Sequence, residues 1–229
     1  MKTFPLLVAA GTISVLLAPF SNASTVLGNG FTSTTGDFLI GGDLTDPEDD
    51  GAPDTDVNYN ASFASSEEPG FGGGEFAFNV FDNRVGGGND KWCCGGGNPS
   101  LFPIWIDATF PQPVILNSFT LSSANDVPGR DPVTWQVQGS NDGINFTTIF
   151  GHTGSSVFGN RAETILWDSA DFTNSTSYTT LRFNVDATGL TTGAFFQISE
   201  IEYFGAVVPE PSSLALLGLA GLGLLRRRR

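Results

Sequence analysis

The sequence predicts an all-β fold, a β-sandwich, for the part of the chain between residues 24 and 208. No segment there has a sustained helical period, whereas short runs of β-branched and aromatic residues recur between Gly, Pro, Asn and Asp. Lysine is nearly absent, while Gly, Thr, Ser and Asn are frequent, so the chain has little material for amphipathic helices. A span of about 185 residues is enough for one domain with a sizeable core.

Eight runs have the composition or alternation of strands: 75–80, 104–110, 114–122, 134–139, 146–150, 163–167, 179–185 and 195–204. The clearest turn is Ser140-Asn141-Asp142-Gly143. Asp-Gly accepts the positive φ angles of a tight hairpin, so this turn should join the strand ending at Gly139 to the one starting near Ile144. Residues 24–74, crowded with Gly, Asp and Pro, are predicted to be a loop-rich N-terminal part of the sandwich or a linker before residues 75–205.

Residues 1–23 have the pattern of a signal peptide. Lys2 gives a positive start, an apolar stretch follows, and Ser21-Asn22-Ala23 provides the small residues that a signal peptidase reads. We therefore expect cleavage after Ala23 and export of the remaining chain.

The exported part is strongly acidic. Residues 24–208 hold five basic residues against 23 acidic ones, a net charge of −18. Such a surface repels nucleic acid and anionic lipid headgroups, whereas divalent cations and neutral glycans remain suitable partners.

Four pieces of the chain, in order, resemble one family. Residues 131–149 contain Thr134-Trp135-Gln136-Val137-Gln138-Gly139-Ser140-Asn141-Asp142-Gly143 and resemble the central hairpin of discoidin-type domains, the coagulation-factor type C and galactose-binding-like jelly rolls. Phe81-Asp82-Asn83 with Lys91-Trp92 resembles the family's opening, Trp105-Ile106-Asp107 a shortened form of its Trp-x-x-x-Asp strand, and 178–183 with 197–202 its closing strands. The resemblance covers about 75–204 and implies a jelly-roll β-sandwich.

Most of these residues are expected to be structural. Their apolar members alternate with polar neighbours and are predicted to form the core: Trp105, Trp135, Phe119, Phe146, Ile149, Leu181, Phe183 and Ile201. Arg182, which lies among apolar strand residues, is predicted to pair with a buried carboxylate.

The resemblance also implies a structural Ca²⁺ between the opening Asp loop and the Glu of the last strand. Asp82, Asn83 and Asp90 in a Gly-rich loop, with Glu200 opposite, offer the oxygen ligands that this cation needs. The alternative is a solvated turn with Glu200 bridged to Lys91 or Arg84. Asn83 in place of the family's Gly, and the insertion 84–89, are departures from the pattern that bear on each ligand.

A second acidic loop, residues 46–54, has oxygen-bearing side chains and a Gly spaced as in a Ca²⁺ loop. Its twelfth position is Val57 and not the bidentate Glu of an EF-hand, so a solvated loop is the favoured interpretation.

The two cysteines, Cys93 and Cys94, are adjacent. Neighbouring Cα atoms lie about 3.8 Å apart, closer than in most disulfides, so free thiols or bonds between chains are the expectation, with a redox-labile vicinal pair as the alternative.

Catalysis is not expected. The chain has one histidine, His152, and no nucleophile elbow, zinc-protease motif, phosphate-binding loop or dinucleotide fingerprint. Glu200 and Glu202 share one face of a strand, but such neighbours are more often solvated than a glycosidase pair.

The C-terminal residues 206–229 form an address signal. Pro209-Glu210-Pro211 precedes the apolar run 214–225 and four arginines. Twelve apolar residues make about 18 Å of helix against a bilayer core of about 30 Å, and the arginines should stay cytoplasmic, so the run is a transient anchor. The tail resembles the PEP-CTERM sorting signal of Gram-negative bacteria, which implies a transmembrane helix, cleavage by an exosortase and transfer to the cell surface; an ordinary tail anchor is the alternative.

These observations predict a surface-sorted, non-catalytic β-sandwich that binds glycan or exopolysaccharide in the cell envelope or extracellular matrix. In the discoidin-type domains that the chain resembles, loops at one end of the sandwich bind the ligand. In this chain the corresponding loops are expected to contain Trp92, Phe102, Arg130 and His152. The alternatives are a structural envelope or biofilm matrix protein without a specific ligand and, third, an accessory part of a hydrolase system.

Overall fold

The computed structural model describes residues 39–40, 42–47, 59–66, 74–85, 89–93, 102–190 and 195–209. Regular structure in these ranges consists of strands and short 3-10 helices, which confirms the all-β prediction. The strands are β1 Ser62–Ser65, β2 Trp92–Cys93, β3 Ile104–Ser122, β4 Pro132–Ser140, β5 Thr147–Thr153, β6 Thr164–Trp167, β7 Tyr178–Thr188, β8 Gln197–Ile198 and β9 Glu200–Val207, with 3-10 helices at Ala77–Phe81 and Pro128–Arg130. Within this part of the chain no helix is long and apolar enough to span a bilayer. The signal peptide and the apolar run 214–225 lie outside it.

Strand β3 belongs to both layers of the sandwich. Its first half pairs with β1 and β7, and β7 continues through β4 to β5, which forms the larger sheet. Its second half pairs with β6 and β9, which forms the smaller sheet. The register shifts between Thr109 and Val114, where Pro111 and Pro113 cannot donate ladder hydrogen bonds. The two strands predicted here are therefore one strand that turns a corner.

The sandwich has two distinct ends. Ile104, Val185, Trp135 and His152 form one row across the larger sheet. Beyond this row lie the segments 123–131, 154–163 and 189–190, joined by hydrogen bonds such as Gly189 N to Asp131 O at 3.2 Å, and we call them the loop end. The opposite end holds residues 110–113 and the end of β9, and we call it the corner end.

The core lies between the sheets. Phe119, Trp135, Leu181, Phe183 and Ile201 are at most 1 % exposed, as predicted. Phe119 stacks on Trp167 with 5.2 Å between ring centroids and meets Trp135 edge-on at 6.1 Å. Ile149 packs against this core from a half-buried position.

Two aromatic residues assigned to the core lie elsewhere. Trp105 and Phe146 are half-buried on the outer face of the larger sheet, where the Arg182 guanidinium lies 4.0 Å and 3.7 Å from their ring centroids. Arg182 also forms two hydrogen bonds to the buried carboxylate of Asp107, so its predicted partner exists. The guanidinium of Arg182 thus pairs its charge with Asp107 and stacks on two aromatic rings at the same time.

The strand predicted at 75–80 is instead the 3-10 helix Ala77–Phe81. Its buried residues are Ala77, Val80 and Phe81, which is the spacing of one helical face and not the alternation of a strand. The prediction failed because apolar composition in a short run does not distinguish the two.

Residues before 75 contribute to the sandwich. Strand β1 pairs with β3, and Phe63 of β1 stacks on Phe81 at 4.6 Å. Leu44 N donates to Tyr203 O and Tyr203 N donates to Asp43 Oδ2, each at 2.7 Å, so this segment follows the edge of β9. Its Gly-rich and Asp-rich sequence gives no strand signal.

The predicted β4–β5 hairpin is present, with a loop longer than a two-residue turn. Gly143 has a φ of 68°, as expected for Asp-Gly. Asp142 Oδ1 accepts hydrogen bonds from Ile144 N at 2.9 Å and Asn145 N at 2.7 Å. The hydrogen bonds from Asn145 and Ile144 hold the pKa of Asp142 below its usual range.

Candidate functional site

The first candidate site is a set of four carboxylates, three buried and one half-buried, where the smaller sheet meets the N-terminal segment. On β9, Ile201 and Tyr203 face the core, so alternation places Glu200 and Glu202 on the other face. Both glutamates are 1 % exposed and Asp43 is 5 % exposed. Carboxylates are rarely buried without a compensating charge. We call Asp43, Asp82, Glu200 and Glu202 the acidic cluster.

Glu200 is a poorly compensated member of the acidic cluster. Its Oε1 accepts one hydrogen bond, from Asn83 N at 3.3 Å, and its Oε2 is buried without a hydrogen-bond partner. Burial raises the pKa of Glu200 well above its usual value, and the nearby charges of Asp82 and Glu202 raise it further. A positive charge at this position would reverse both effects.

The basic residues considered as partners of Glu200 lie elsewhere. Lys91 forms ion pairs with Asp126 at 3.0 Å and Glu75 at 3.5 Å. Arg84 lies 3.5 Å from Asp90. The alternative of a Glu200 bridge to Lys91 or Arg84 is therefore wrong.

Glu202 and Asp43 are held by hydrogen bonds. Glu202 Oε2 accepts from Thr120 Oγ1 at 2.6 Å and from Ile40 N at 3.2 Å. Asp43 Oδ1 accepts from Thr45 N at 2.9 Å and from Asp46 N at 2.8 Å. Burial raises the pKa of Asp43 to about 7 in spite of these bonds, and the charge of Glu202 adds to the rise.

The carboxylate oxygens of the acidic cluster are the type of ligand that a hard cation prefers. Their positions, however, do not form a complete metal site. Asp82, Asn83 and Glu200 come together, whereas Asp90 is directed to Arg84. In the described part of the chain, no three His, Cys, Asp or Glu side chains converge as metal ligands. Ca²⁺ accepts carbonyls and water beside two or three carboxylates, so the buried Oε2 of Glu200 is a suitable ligand. Of the second acidic loop, residues 48–54 lie outside the described residues.

Sequence reasoning missed two members of this cluster. The alternation of Glu200 and Glu202 on β9 was the signal for Glu202, but a solvated strand was expected in place of a covered one. Asp43 had no signal, because only the pairing of its segment with β9 brings it to Tyr203.

The second candidate site is the loop end. The guanidinium of Arg130 lies 5.4 Å from the centroid of the half-buried Phe195 ring, and its Nη1 lies 3.8 Å from Cys93 Sγ. Phe102 precedes the first residue of β3 by two positions, and His152 lies on the row of Ile104, so the sheet register brings both to the same end. Sequence analysis missed Phe195; alternation beside the buried Phe196 was the available signal.

His152 and Phe102 are half-buried at this end. The His152 ring stacks on Trp135 at 5.5 Å, and its Nε2 lies 2.9 Å from Ser155 O. Phe102 packs against the edge of the core. Each of the two therefore has one side held by the protein.

Trp92 has a different role from the one assigned to it. It is 2 % exposed, pairs with Ile198 and meets Phe196 edge-on at 4.9 Å. Its ring has no exposed face for a sugar, and it is part of the floor beneath the loop end.

Ion pairs fix the loops relative to one another. The buried Asp131 carboxylate accepts two hydrogen bonds from Arg161, and Arg161 also donates to the carbonyl of Asp126 at 3.1 Å. Burial raises the pKa of Asp131, and Arg161 opposes the rise. Because the contacts join 123–131 to 154–163, the loop end is held in shape before any ligand binds.

Cys93 takes part in a disulfide. This corrects the expectation of a free thiol. The other cysteine of the chain, Cys94, lies outside the described residues.

Solved structures with a similar arrangement of strands include three bacterial domains. CpGH89CBM32-5 from Clostridium perfringens, in complex with GalNAc-β-1,3-galactose, is 17% identical, with a TM-score of 0.47, over 64% of this chain and 96% of its own. Chitosan-binding module 1 of a Paenibacillus sp. IK-5 chitosanase/glucanase is 22% identical, with a TM-score of 0.46, over 64% and 96%. An F5/8 type C domain from Bacteroides fragilis is 15% identical, with a TM-score of 0.47, over 65% and 93%. No curated protein matches the chain.

Two family models match the sequence. The PEP-CTERM protein-sorting motif matches residues 207–229, which marks an exported, surface-associated protein. The F5/8 type C domain matches residues 62–201, more than half of the chain, from β1 to β9. Together with the two-layered, all-β architecture, this match shows that the chain belongs to the F5/8 type C, or discoidin-like, domain family and has its galactose-binding-like jelly-roll fold.

Proposed function

We propose that the chain is an exported, non-catalytic protein that binds a matrix glycan or exopolysaccharide at its loop end. The observation that carries the proposal is the pair formed by Arg130 and Phe195, with the guanidinium 5.4 Å over the ring. Sugar sites combine an apolar surface with a few placed hydrogen-bonding groups. Phe195 and Phe102 supply the apolar surface, and Arg130 and His152 supply the polar groups.

The charge of the protein narrows the ligand class. A net charge of −18 on residues 24–208 disfavours nucleic acid and polyanionic polysaccharides, so a neutral glycan is favoured. The buried acids do not suggest hydrolysis, because Glu200 and Glu202 lie beneath the N-terminal segment and not in an open cleft.

We also propose a structural Ca²⁺ at the acidic cluster. Asp82 and Glu200 would hold it, with Asn83 and Glu202 nearby, and the ion would place a positive charge beside the buried Oε2 of Glu200, which has no hydrogen-bond partner. Because β9 and the N-terminal segment meet here, ion binding would tie the N-terminal segment to β9.

The sorting partners follow from the tail. A signal peptidase would release residues 1–23, and an exosortase would read Pro209-Glu210-Pro211, so that the membrane is contacted only through the transient C-terminal run. The destination is the cell envelope, the cell surface or the extracellular matrix.

The proposal is tested by applying the protein of residues 24–208, and variants of it with substitutions at the loop end, to a glycan array. Selective, competable binding should fall at least about tenfold in Arg130→Ala or Phe195→Ala, since each removes a group of the kind that orients a sugar. Ile144→Ala is the matched control, because Ile144 is 81 % exposed and lies in the β4–β5 loop at the other end. An empty array would instead favour a structural matrix protein without a specific ligand.

A further inference from the structure

The Pro209-Glu210-Pro211 triplet of the sorting motif begins one residue after Val208, which is hydrogen-bonded to the sandwich. Strand β9 pairs with β3 from Glu200 opposite Ser122 to Val207 opposite Val114. Val208 N then donates to Pro113 O at 2.8 Å. Pro209, the first residue of the Pro209-Glu210-Pro211 triplet, follows directly and is exposed.

The strand before the motif is firmly held up to Gly205. Tyr203 and Phe204 are buried, and a Cβ at Gly205 would lie 1.9 Å from Ile115 O, so the two backbones are in close contact. Beyond this point the hold weakens, because Ala206 is half-buried and Val207 is 37 % exposed. The end of β9 that can open without disturbing the core is therefore residues 206–208.

A peptide that is recognised in an extended conformation is bound through its main-chain hydrogen-bonding groups. Here the residue on the N-terminal side uses its N–H in the sheet, and the corner formed by Pro111-Gln112-Pro113 lies beside it. The sandwich and the enzyme therefore compete for the same residues.

We propose that the sorting enzyme binds the motif only when Val207 and Val208 have left β3, so that opening of this strand end limits processing. The inference rests on the proposed reading of the motif by an exosortase. Processing breaks a peptide bond near the motif and passes the acyl group to water or to an acceptor amine; the inference concerns how that bond reaches the enzyme.

Pulse–chase labelling of the full chain in exosortase-containing cells tests this, with the size shift on tail removal as the readout. A Gly-Ser-Gly-Ser spacer between Val208 and Pro209 should speed processing about fivefold, the factor that corresponds to one hydrogen bond of about 1 kcal/mol. Val208→Pro, which removes the N–H donor, should act in the same direction. Val208→Ala keeps the donor and is the matched control.

Equal processing rates for the spacer variant and the native chain would overturn the inference. The spacer leaves residues 24–208 unaltered, so this result does not depend on whether Val208→Pro folds. Glu210→Ala separates the two proposals: if it is processed like the native chain, the reading of the motif fails, whereas if it alone blocks processing and the spacer is silent, only the opening step fails.

Discussion

At the residue scale, Glu200 is where the structure most clearly requires another charge. Its carboxylate is 1 % exposed, receives one hydrogen bond and faces other acids. Such a group costs stability unless it is protonated or paired. The fold keeps it at the start of β9, where the smaller sheet meets the N-terminal segment.

Glu200→Gln should raise the free energy of unfolding in the presence of a chelator, on the order of 1 kcal/mol, because it removes a buried and repelled charge. The same substitution should abolish any Ca²⁺-dependent stabilisation, which at a hundredfold excess over Kd is about 2.7 kcal/mol. Urea unfolding with Ca²⁺ and with chelator measures both effects. Asp168→Asn, which removes an exposed charge, is the control. Equal Ca²⁺ responses in the native chain, Glu200→Gln and Asp168→Asn would contradict a Ca²⁺ site at Glu200.

Acidification should stabilise the cation-free protein between pH 8 and about 5. The pKa of Asp43 is about 7 in the folded state and near 4 when unfolded, and the pKa of Glu200 is raised in the same direction. The folded state therefore binds more protons in this range, and stability falls as pH rises. Thermal unfolding across this range should show the slope, and a smaller slope in Glu200→Gln. A flat profile for the native chain would contradict the raised pKa values.

Arg182→Ala should lower the free energy of unfolding by about 2 to 3 kcal/mol, because it leaves the Asp107 carboxylate without its partner in a partly buried position. Trp105 and Phe146 would also lose the cation between them. Arg182→Lys should recover only part of the loss, because an ammonium cannot reproduce the two-pronged pairing and stacking. The urea midpoint measures this, and full stability in Arg182→Lys would show that the planar group is dispensable.

At the scale of elements, three features of the protein meet at β9. The strand belongs to the smaller sheet, holds Glu200 and Glu202 of the acidic cluster, and leads into the sorting motif. Its fit against β3 is closest at Gly205. The corner in β3 matters equally, because it lets one strand serve both sheets.

Gly205→Ala should destabilise the protein by about 3 kcal/mol or more, because the added methyl group meets backbone and not a movable side chain. Gly151→Ala is a matched strand control, since its nearest neighbours lie at 3.8 Å. Chemical unfolding of both variants gives the comparison. Similar losses in the two would mean that β9 can shift away from Ile115.

At the scale of the molecule, the direction of β9 determines at which end of the sandwich the chain leaves toward the tail. The strand runs from the loop-end side to the corner end over eight residues, about 26 Å, and the tail leaves from the corner end. Pro209, which follows β9, therefore lies at the end of the sandwich opposite the loop end.

A glycan bound at the loop end should accordingly be bound with the same Kd, within about twofold, by the full chain in detergent and by residues 24–208. Titration of both forms with one array-selected glycan checks this. A large loss in the full chain would place the binding surface near the corner end.

The sequence alone predicted the all-β class, the β4–β5 hairpin, the family, the carboxylate partner of Arg182 and the sorting motif. These depend on local patterns: alternation, turn residues such as Asp142-Gly143, and short motifs read along the chain. The 3-10 helix Ala77–Phe81 was missed because a short, mostly apolar run fits a helix or a strand. The strand β1 was missed because its edge pairing requires little apolar sequence.

Only the tertiary structure decided which side chains belong to each site. Trp92 and Phe195 are both aromatic residues near loops, yet one is buried beneath the loop end and the other lies at its surface under Arg130. Asp43 joined the acidic cluster because its segment follows the edge of β9, whereas Asp90 was drawn to Arg84. The physical reason is that burial and the distance between charges are set by contacts between residues far apart in the chain, which no local pattern records.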